Sequence, residues 1–398
     1  MSKNSIQSII VFTIFFLCLN SCQKDEILSA ETFEVNSSFA DSSNNHVNNL
    51  EFQNLLDEIK NSGVPGILMS VQDPTNGMWV GASGKADLKS NIDLKTGSIT
   101  RVGSTVKTFT ATTILLLNEE GKLNLDDRIT DYLTDYEIRG LENASTATIR
   151  QLLNHSSGIY NYIRNLQFQT ASLNDLVKEW IPEELMGYAR GQKAYFKPGE
   201  DVEYSNTNYI LLGMIISKIE NKPFYEVFEE KIFIPLGLNS TQFASQNPVP
   251  DNIIRGYADL YSNLNVINVT YNSGWDYYTA DGGLISNPYD LNTFFTALIK
   301  GEIVSSSSLN EMMDWIAPNE EDPDFFPIAY GLGIFKMETQ WGDAYFHSGD
   351  AIGYYANMVY FPDQETTICW AVNGNYGKID DFTSTKEAME NIFEVVLN

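Results

Sequence analysis

The sequence predicts a mixed α/β domain, in which one antiparallel sheet is flanked by helices and carries an inserted all-helical lobe. Three observations predict this fold class. Strand-like runs lie towards both ends of the chain, at 66–84 and 329–374. The middle, from about 125 to 275, is mostly helix and loop. Helical patterns precede the first strands and close the chain, so a sheet assembled from both chain ends accounts for the order.

Residues 1–21 are expected to be a lipoprotein signal peptide outside the fold. Lys3 precedes the apolar stretch Ile9 to Leu19, which is shorter than the ~20 residues of a membrane-spanning helix but suits a secretory signal. The stretch ends in Leu19-Asn20-Ser21-Cys22, which resembles a bacterial lipobox and predicts lipidation of Cys22. The following "QKDE" resembles surface-export signals. We therefore expect a secreted lipoprotein anchored to the bacterial outer membrane, although an ordinary cleaved signal is the other interpretation.

Residues 22–48 are expected to form a flexible tether, because they are rich in Ser, Asn and acidic residues. Residues 49–398 then form the domain. Its expected elements, in chain order, are a helix at 50–63, strands at 66–73 and 78–84, a helix from Ser104 to Gly121, two helices within 207–238, a helix at 287–303, strands at 329–337, 344–349, 353–362 and 366–374, and a last helix at 385–398.

Composition excludes several functional classes. The chain carries 25 Lys and Arg against 52 Asp and Glu, a net charge of −27, which repels nucleic acid and anionic headgroups. Membrane contact is therefore expected through the N-terminal lipid only. Of three cysteines, Cys18 leaves with the signal and Cys22 is lipidated, so Cys369 is expected to be a small buried apolar residue. The three histidines show no metal-ligand spacing, and no metal or cofactor is expected.

Two short patterns near residue 100 compete for nucleophilic chemistry. A serine hydroxyl is a weak nucleophile until a base takes its proton. Ser104 and Lys107 lie one helical turn apart at the head of an apolar helix, so a neutral amine could reach the hydroxyl there. The helix N-terminus adds free N–H groups where an oxyanion forms. Lys95-Thr96-Gly97 is flanked by polar residues without strand character, and we interpret it as a surface loop.

A second proton carrier is expected in one of three Tyr-x-Asn triplets, which begin at Tyr204, Tyr261 and Tyr355. Only Tyr204-Ser205-Asn206 follows a turn and precedes a long apolar helix, which places Tyr204 and Asn206 on a loop above a rigid element. Tyr355 lies inside a strand-like run and Tyr261 in a polar stretch. We therefore select Tyr204 and interpret the other two as structural.

The wall of the site is expected at His347-Ser348-Gly349, which lies between two strand-like runs. A glycine on a strand edge lets the backbone approach the nucleophile closely. The next residue, Asp350, then has its N–H in position to donate to an acyl oxygen.

Three motifs occur in this order and context: Ser104-x-x-Lys107, Tyr204-x-Asn206 and His347-x-Gly349. Together they resemble the serine-type D-Ala-D-Ala carboxypeptidase and class C β-lactamase family, which includes esterases and D-amino-acid peptidases. The resemblance extends through "LLNHSSGIYNY" and "TADGGLISNPYDL" and covers about 50–397. It implies a β-lactamase-like or penicillin-binding-protein-like fold with the site between sheet and helical lobe. It also implies that Ser104 forms an acyl-enzyme, that Lys107 assists its deprotonation and that Tyr204 carries the proton to the leaving group.

The same resemblance implies that Asn206 orients the substrate and that the N–H groups of Ser104 and Asp350 form the oxyanion hole. Two departures bear on the substrate. His347 stands where β-lactamases of the family carry lysine, and its positive charge is expected to be partial and pH-dependent. Asp350 stands where a small or hydroxyl-bearing residue is commoner in the family, and its carboxylate is expected to repel substrates that carry a carboxylate of their own. The expected substrates are therefore small esters, amides or short D-amino-acid peptides, cell-wall fragments among them.

Two neighbouring features are interpreted as structural. His155 is expected to be a loop residue rather than a base, and Gly282-Gly283 to set a tight turn under the site. Two functions from other classes remain as alternatives. One is a ligand- or cell-wall-binding surface lipoprotein that keeps the fold without turnover, and the other is an adhesin with exposed aromatic arrays. Labelling by a serine-directed probe separates an enzyme from both.

Overall fold

The computed structural model describes residues 43–244, 252–272 and 279–398. The predictions for residues 1–42, including the signal peptide and the lipidation of Cys22, concern residues outside the described ranges. Its strands are β1 (Gly66–Asp73), β2 (Gly77–Asp87), β3 (Ile92–Asp93), β4 (Thr100–Arg101), β5 (Gln242–Phe243), β6 (Tyr257–Ala258), β7 (Ile267–Asn268), β8 (Leu284–Ser286), β9 (Ile328–Tyr330), β10 (Phe335–Thr339), β11 (Gly342–Ala351), β12 (Tyr354–Phe361), β13 (Thr366–Val372) and β14 (Gly374–Asn375).

The predicted sheet assembled from both chain ends is confirmed. Eight strands pair in the order β3-β2-β1-β13-β12-β11-β10-β9, and every pairing is antiparallel. The two ends of the chain meet at the centre, where β1 pairs with β13 and Ile67 lies opposite Val372. These strands are buried on both faces, which explains their nearly continuous apolar runs.

The α-helices are α1 (Asn49–Asn61), α2 (Val106–Glu119), α3 (Ile149–Leu153), α4 (Leu166–Asn174), α5 (Pro182–Ala189), α6 (Asn206–Glu220), α7 (Phe224–Phe228), α8 (Ile234–Leu236), α9 (Pro288–Ile299), α10 (Ser306–Met312), α11 (Asp380–Thr383) and α12 (Lys386–Leu397). The terminal helices α1 and α12 cover one face of the sheet. Phe52 of α1 and Phe393 of α12 belong to one buried cluster with Trp79 and Trp370 of the strands.

The opposite face carries α9, and beyond it the helical lobe packs around α2. The rings of Phe109 on α2 and Phe294 on α9 stack with centroids 3.6 Å apart. Cys369 of β13 is fully buried in the same cluster, as its apolar surroundings predict. The helix that follows the candidate nucleophile is therefore fixed between the sheet and the lobe.

Two boundaries differ from the sequence-based expectation. Residues 43–48, expected in the tether, pack on the sheet: Val80 N donates to Ser43 Oγ at 2.9 Å, and the His46 ring lies 5.8 Å from that of Phe52. The helical lobe was expected to reach about 275, but its helices end at Leu236 and the short strands β5–β7 follow. Within the described ranges, no helix is both long and apolar enough to cross a bilayer.

Candidate active site

The nucleophile and its lysine lie at the start of α2. Ser104 occupies a single 3₁₀ turn, Gly103–Thr105, which runs directly into the helix. Lys107 Nζ donates to Ser104 Oγ at 2.9 Å and to the backbone carbonyl of Asp281 at 2.5 Å. The Lys107 side chain is fully buried. The pair thus has the geometry for transferring the serine proton to the amine.

Tyr204 completes the group around the serine. Its hydroxyl is hydrogen-bonded to Ser104, and Lys107 Nζ lies 5.1 Å from the centre of its ring. Burial raises the pKa of Tyr204 well above its ordinary value, although the bond to Ser104 acts in the opposite direction. Tyr204 is therefore a neutral phenol at physiological pH, which suits a group that donates a proton and takes it back.

The Tyr204 loop is held in place by two side chains from the segment before α4. Asn161 Nδ2 donates to the carbonyl of Tyr204 at 3.1 Å, and Asn161 Oδ1 accepts from Asn206 N at 3.2 Å. His155 Nδ1 accepts from Ser205 N at 3.1 Å, and its ring lies 4.5 Å from the Tyr204 ring. Burial, and then the charge of Lys107, lower the pKa of His155 well below its ordinary value. His155 is thus a neutral clamp, in agreement with its predicted structural role.

Strand β11 forms the wall opposite the nucleophile. It pairs with β10 only through Gly342–Phe346, so its edge beyond that point is open to the Ser104 turn. A Cβ on Gly349 would lie 2.1 Å from the Val102 carbonyl oxygen and 2.6 Å from Ser104 N. Only glycine permits this approach. A Cβ on Gly103 would likewise meet Asp350 N at 2.8 Å, so the two N–H groups expected to bind an oxyanion lie on backbones in direct contact.

His347 is neutral, which corrects the expectation of a partial positive charge. Its side chain is buried, and its Nδ1 lies 2.6 Å from the carbonyl oxygen of Ser348. Burial and the nearby Lys107 lower the pKa of His347 to about 3. An imidazole in contact with the Phe335 ring and close to an amine loses its proton far below neutral pH.

The pKa of Asp350 is shifted in the opposite direction, upwards. Asp350 is exposed and lines the cleft. The protein atoms packed around its carboxylate, which displace water, and the charge of Asp380 raise the pKa of Asp350 to about 6. Asp350 is therefore largely ionised at neutral pH.

The residues enclose a cleft of about 390 Å³, within the size range of small-molecule sites. The predicted site residues that line it are Ser104, Tyr204, Asn206, His347, Ser348 and Asp350. Lys107 and Gly349 lie directly behind them. The remaining wall is apolar and aromatic, formed by Ile163, Phe325, Ile328, Tyr330, Phe335 and Phe346. Among the described residues, no three potential metal-ligating side chains stand together.

Sequence reasoning missed Asp281. Its backbone carbonyl accepts from Lys107 and lies 3.5 Å from Ser104 Oγ, and its buried carboxylate accepts from the Tyr162 hydroxyl at 2.9 Å. Burial raises the pKa of Asp281, while Lys107 lowers it. The adjacent Gly282-Gly283 forms a turn on Thr279, as expected.

The rejected alternatives lie away from the nucleophile. Lys95-Thr96-Gly97 forms a turn beside α1 and β2, closed by a bond from Ser98 N to the carbonyl of Lys95. Tyr261 is 76% exposed and outside the cleft. Tyr355 is buried on β12 opposite Asp350, behind the cleft wall.

The comparison with known proteins decides the family. The sequence profile described as Beta-lactamase matches residues 52–389, most of the chain. The chain belongs to the Beta-lactamase family. The predicted fold and the predicted relationship to D-Ala-D-Ala carboxypeptidases and class C β-lactamases are thereby confirmed at the level of the family.

Individual proteins from other bacteria resemble the chain over about 70% of its length. Penicillin-binding protein 4* of Bacillus subtilis is 30% identical over 73% of this chain. Protein flp of Staphylococcus aureus is 26% identical over 69% of it. The chain spans 64% and 52% of these two relatives, respectively.

Two solved structures cover the chain more fully. A D-stereospecific amidohydrolase from Streptomyces sp. is 29% identical with a TM-score of 0.75, over 86% of this chain and 97% of that one. The D-amino acid amidase from Ochrobactrum anthropi SV3, in complex with D-phenylalanine, is 26% identical with a TM-score of 0.76, over 88% and 98%.

Proposed function

We propose that this protein is a serine hydrolase that cleaves amide or short-peptide bonds of D-amino acids through an acyl-enzyme on Ser104. The 2.9 Å bond from Lys107 Nζ to Ser104 Oγ carries the proposal, because it pairs a nucleophile with a buried base. The names of the two similar structures, a D-stereospecific amidohydrolase and a D-amino acid amidase, support this substrate class. Small esters are substrates of the same machinery.

The positions of the groups support the following reaction. Ser104 Oγ attacks the substrate carbonyl carbon as its proton passes to Lys107, and the resulting oxyanion faces the N–H groups of Ser104 and Asp350. Tyr204 gives its hydroxyl proton to the departing nitrogen and recovers one from Lys107. Water then attacks the Ser104 ester, and its proton returns to the serine by the same groups. Asn206 orients the substrate amide.

Serine labelling and turnover test this proposal together. A fluorophosphonate probe is expected to label the wild-type chain and not Ser104→Ala. The wild type is also expected to release ammonia from D-phenylalanine amide, faster than it opens nitrocefin. Binding of the amide without labelling or turnover would instead support the alternative of a non-catalytic binding protein. Nitrocefin turnover far above that of the amide and of p-nitrophenyl acetate would contradict the substrate class.

We further propose that Cys22 carries a lipid that anchors the protein to the outer membrane, facing outward. The lipobox-like Leu19-Asn20-Ser21-Cys22 and the apolar stretch before it support this proposal. An alkyne-tagged palmitate fed to producing cells is expected to label the wild type and not Cys22→Ala. Labelling of both variants, or of neither, would contradict it, and proteolysis of intact cells tests the outward orientation.

A further inference from the structure

A buried acid, Asp281, stands behind the nucleophile, and its carboxylate has no part in the reaction described above. Two hydrogen bonds tie the backbone of this turn to α2. Lys107 Nζ donates to the Asp281 carbonyl at 2.5 Å, and Thr110 Oγ1 donates to the carbonyl of the neighbouring Ala280 at 2.9 Å. Asp281 is thus fixed against the helix that carries both the serine and its base.

The Asp281 carboxylate is enclosed by protein. The residue is fully buried, and the Tyr162 hydroxyl donates to its Oδ2 at 2.9 Å. Tyr162 is itself buried, with its ring 5.2 Å from that of Phe168, so the hydroxyl is held in place by packing. The Thr279 side chain also bonds to the carboxylate. A buried carboxyl group is costly unless bonds or an opposite charge compensate for the water it has lost.

The opposite charge is available from Lys107. Burial raises the pKa of Asp281, and the charge of Lys107 is the largest of the effects that lower it. Coulomb attraction is reciprocal, so the carboxylate favours the charged form of the amine in turn. The amine becomes charged when it takes the proton of Ser104. The carboxylate is therefore placed to stabilise the product of that proton transfer.

The other titratable side chains that face the amine are neutral at physiological pH. The rings of Tyr204 and Tyr209 lie 5.1 Å and 5.6 Å from Nζ, and burial raises the pKa of both phenols. Burial, and then the charge of the amine, lower the pKa of His155 and of His347. None of these four side chains balances an ammonium group, whereas the carboxylate of Asp281 does.

We propose that Asp281 is a positioning residue for acylation, whose carboxylate is held by Tyr162 as the counter-charge of the ammonium group that Lys107 becomes. In this step the O–H bond of Ser104 breaks, its proton forms a new N–H bond at Nζ, and the carboxylate stays ionised. The inference rests on the proposed function. It adds to that function the residue that sets the pH range in which the serine is activated.

The rate of serine labelling by a fluorophosphonate, followed from about pH 5 to 10, tests the counter-charge without any substrate. Asp281→Asn keeps the size of the side chain and the backbone carbonyl but removes the charge. An amine without a nearby carboxylate loses its proton at lower pH, so the acid side of the profile is expected to move down by about one pH unit. A less basic amine also takes the serine proton more slowly, so the plateau rate is expected to fall about tenfold.

Asp290→Asn is the matched control, because Asp290 is also a buried acid. Its carboxylate accepts from Ser240 N at 2.8 Å and from Thr241 Oγ1 at 2.9 Å. The profile of this variant is expected to coincide with that of the wild type. An acid side that stays in place in Asp281→Asn, or that moves equally in the control, would overturn the inference and leave the proposed hydrolase intact. Absence of labelling in the wild type, or labelling of Ser104→Ala, would contradict the proposed function and this inference with it.

Tyr162→Phe provides a second test that does not depend on the folding of Asp281→Asn. It keeps the ring and removes the hydroxyl, so the carboxylate is protonated more readily, and the acid side is expected to move in the same direction by a smaller amount. Adding Tyr162→Phe to Asp281→Asn is expected to cause no further shift, because the two residues act as a unit. Tyr354→Phe, at a buried tyrosine whose hydroxyl donates to the Ile254 carbonyl, is the control. An unmoved profile in Tyr162→Phe, or additive shifts in the double variant, would contradict the inference.

Discussion

At the scale of single residues, the site depends on groups whose charge is set by burial. Lys107 is buried against Ser104 and the Asp281 carbonyl, so its amine faces the nucleophile and little solvent. Replacing Lys107 by Met keeps the length and removes the base. We expect kcat for D-phenylalanine p-nitroanilide to fall by about 10²- to 10⁴-fold. Lys95→Met, in the surface turn, is the control, and an equal loss there would contradict the assignment.

His347 makes the stability of the fold depend on pH. Its pKa is about 3 in the folded protein against 6.5 ordinarily, so the unfolded chain binds the extra proton between these values. Stability is then fully present above pH 6.5 and falls as the pH drops towards 3, by at most about 1.4 kcal/mol per pH unit for this group. Urea unfolding at pH 7 and 4.5 is expected to show a smaller acid loss for His347→Gln. An identical acid loss in both proteins would contradict a neutral buried imidazole.

The pKa of Asp350 predicts that substrate recognition depends on pH. Its pKa of about 6 is raised by its surroundings and by Asp380, while the Tyr355 phenol beside it stays neutral. As the pH rises from 5 to 7, Asp350 ionises while the ammonium of an amino-acid amide is still largely charged. We expect kcat/KM for D-phenylalanine p-nitroanilide, relative to that for its N-acetyl derivative, to rise over this range. A ratio that stays constant between pH 5 and 7 would show that the Asp350 carboxylate does not bind the ammonium group of the substrate.

At the scale of elements, the contact between the Ser104 turn and β11 sets the geometry of the oxyanion hole. A Cβ at Gly349 would meet the Val102 carbonyl at 2.1 Å, so Gly349→Ala must push the turn and the strand apart. We expect kcat to fall by about 10²-fold, since a displacement of 1 Å has that effect in active sites. Gly187→Ala on α5, where the added Cβ meets nothing within 4 Å, is the control. Unchanged turnover in Gly349→Ala would show that this contact does not shape the site.

The elements and the main site residues could be predicted because local patterns determine them. Helical spacing placed the helix after Ser104, and a turn followed by an apolar helix selected Tyr204. Other features depend on three-dimensional packing. The neutrality of His347 results from Phe335 and Lys107, which lie on other elements. The contact of Asp281 with Lys107 is made by its backbone carbonyl, which no side-chain pattern reveals.

At the scale of the whole molecule, the core under the terminal helices is continuous with the aromatic wall of the cleft, because Phe335 and Phe346 belong to the same buried cluster as Phe393. Phe393 of α12 packs against the rings of Phe361 and Trp370, with centroids 4.9 Å and 6.3 Å away. Phe393→Ala is expected to lower the free energy of unfolding by about 3–5 kcal/mol, measured by urea titration. Glu394→Ala, exposed on the same helix, is the control, and an equally large loss there would contradict the packing argument.

The central pairing of β1 with β13 also fixes the order in which a newly made chain can become active. Ile67 can pair with Val372 only after Val372 has been synthesised. Gly349, in the wall of the cleft, is likewise translated long after Ser104. A polypeptide that ends before β11 thus carries Ser104 and Lys107 without the Asp350 N–H, one of the two donors expected to bind the oxyanion. Hydrolytic competence is therefore acquired only when nearly the entire polypeptide is available to fold.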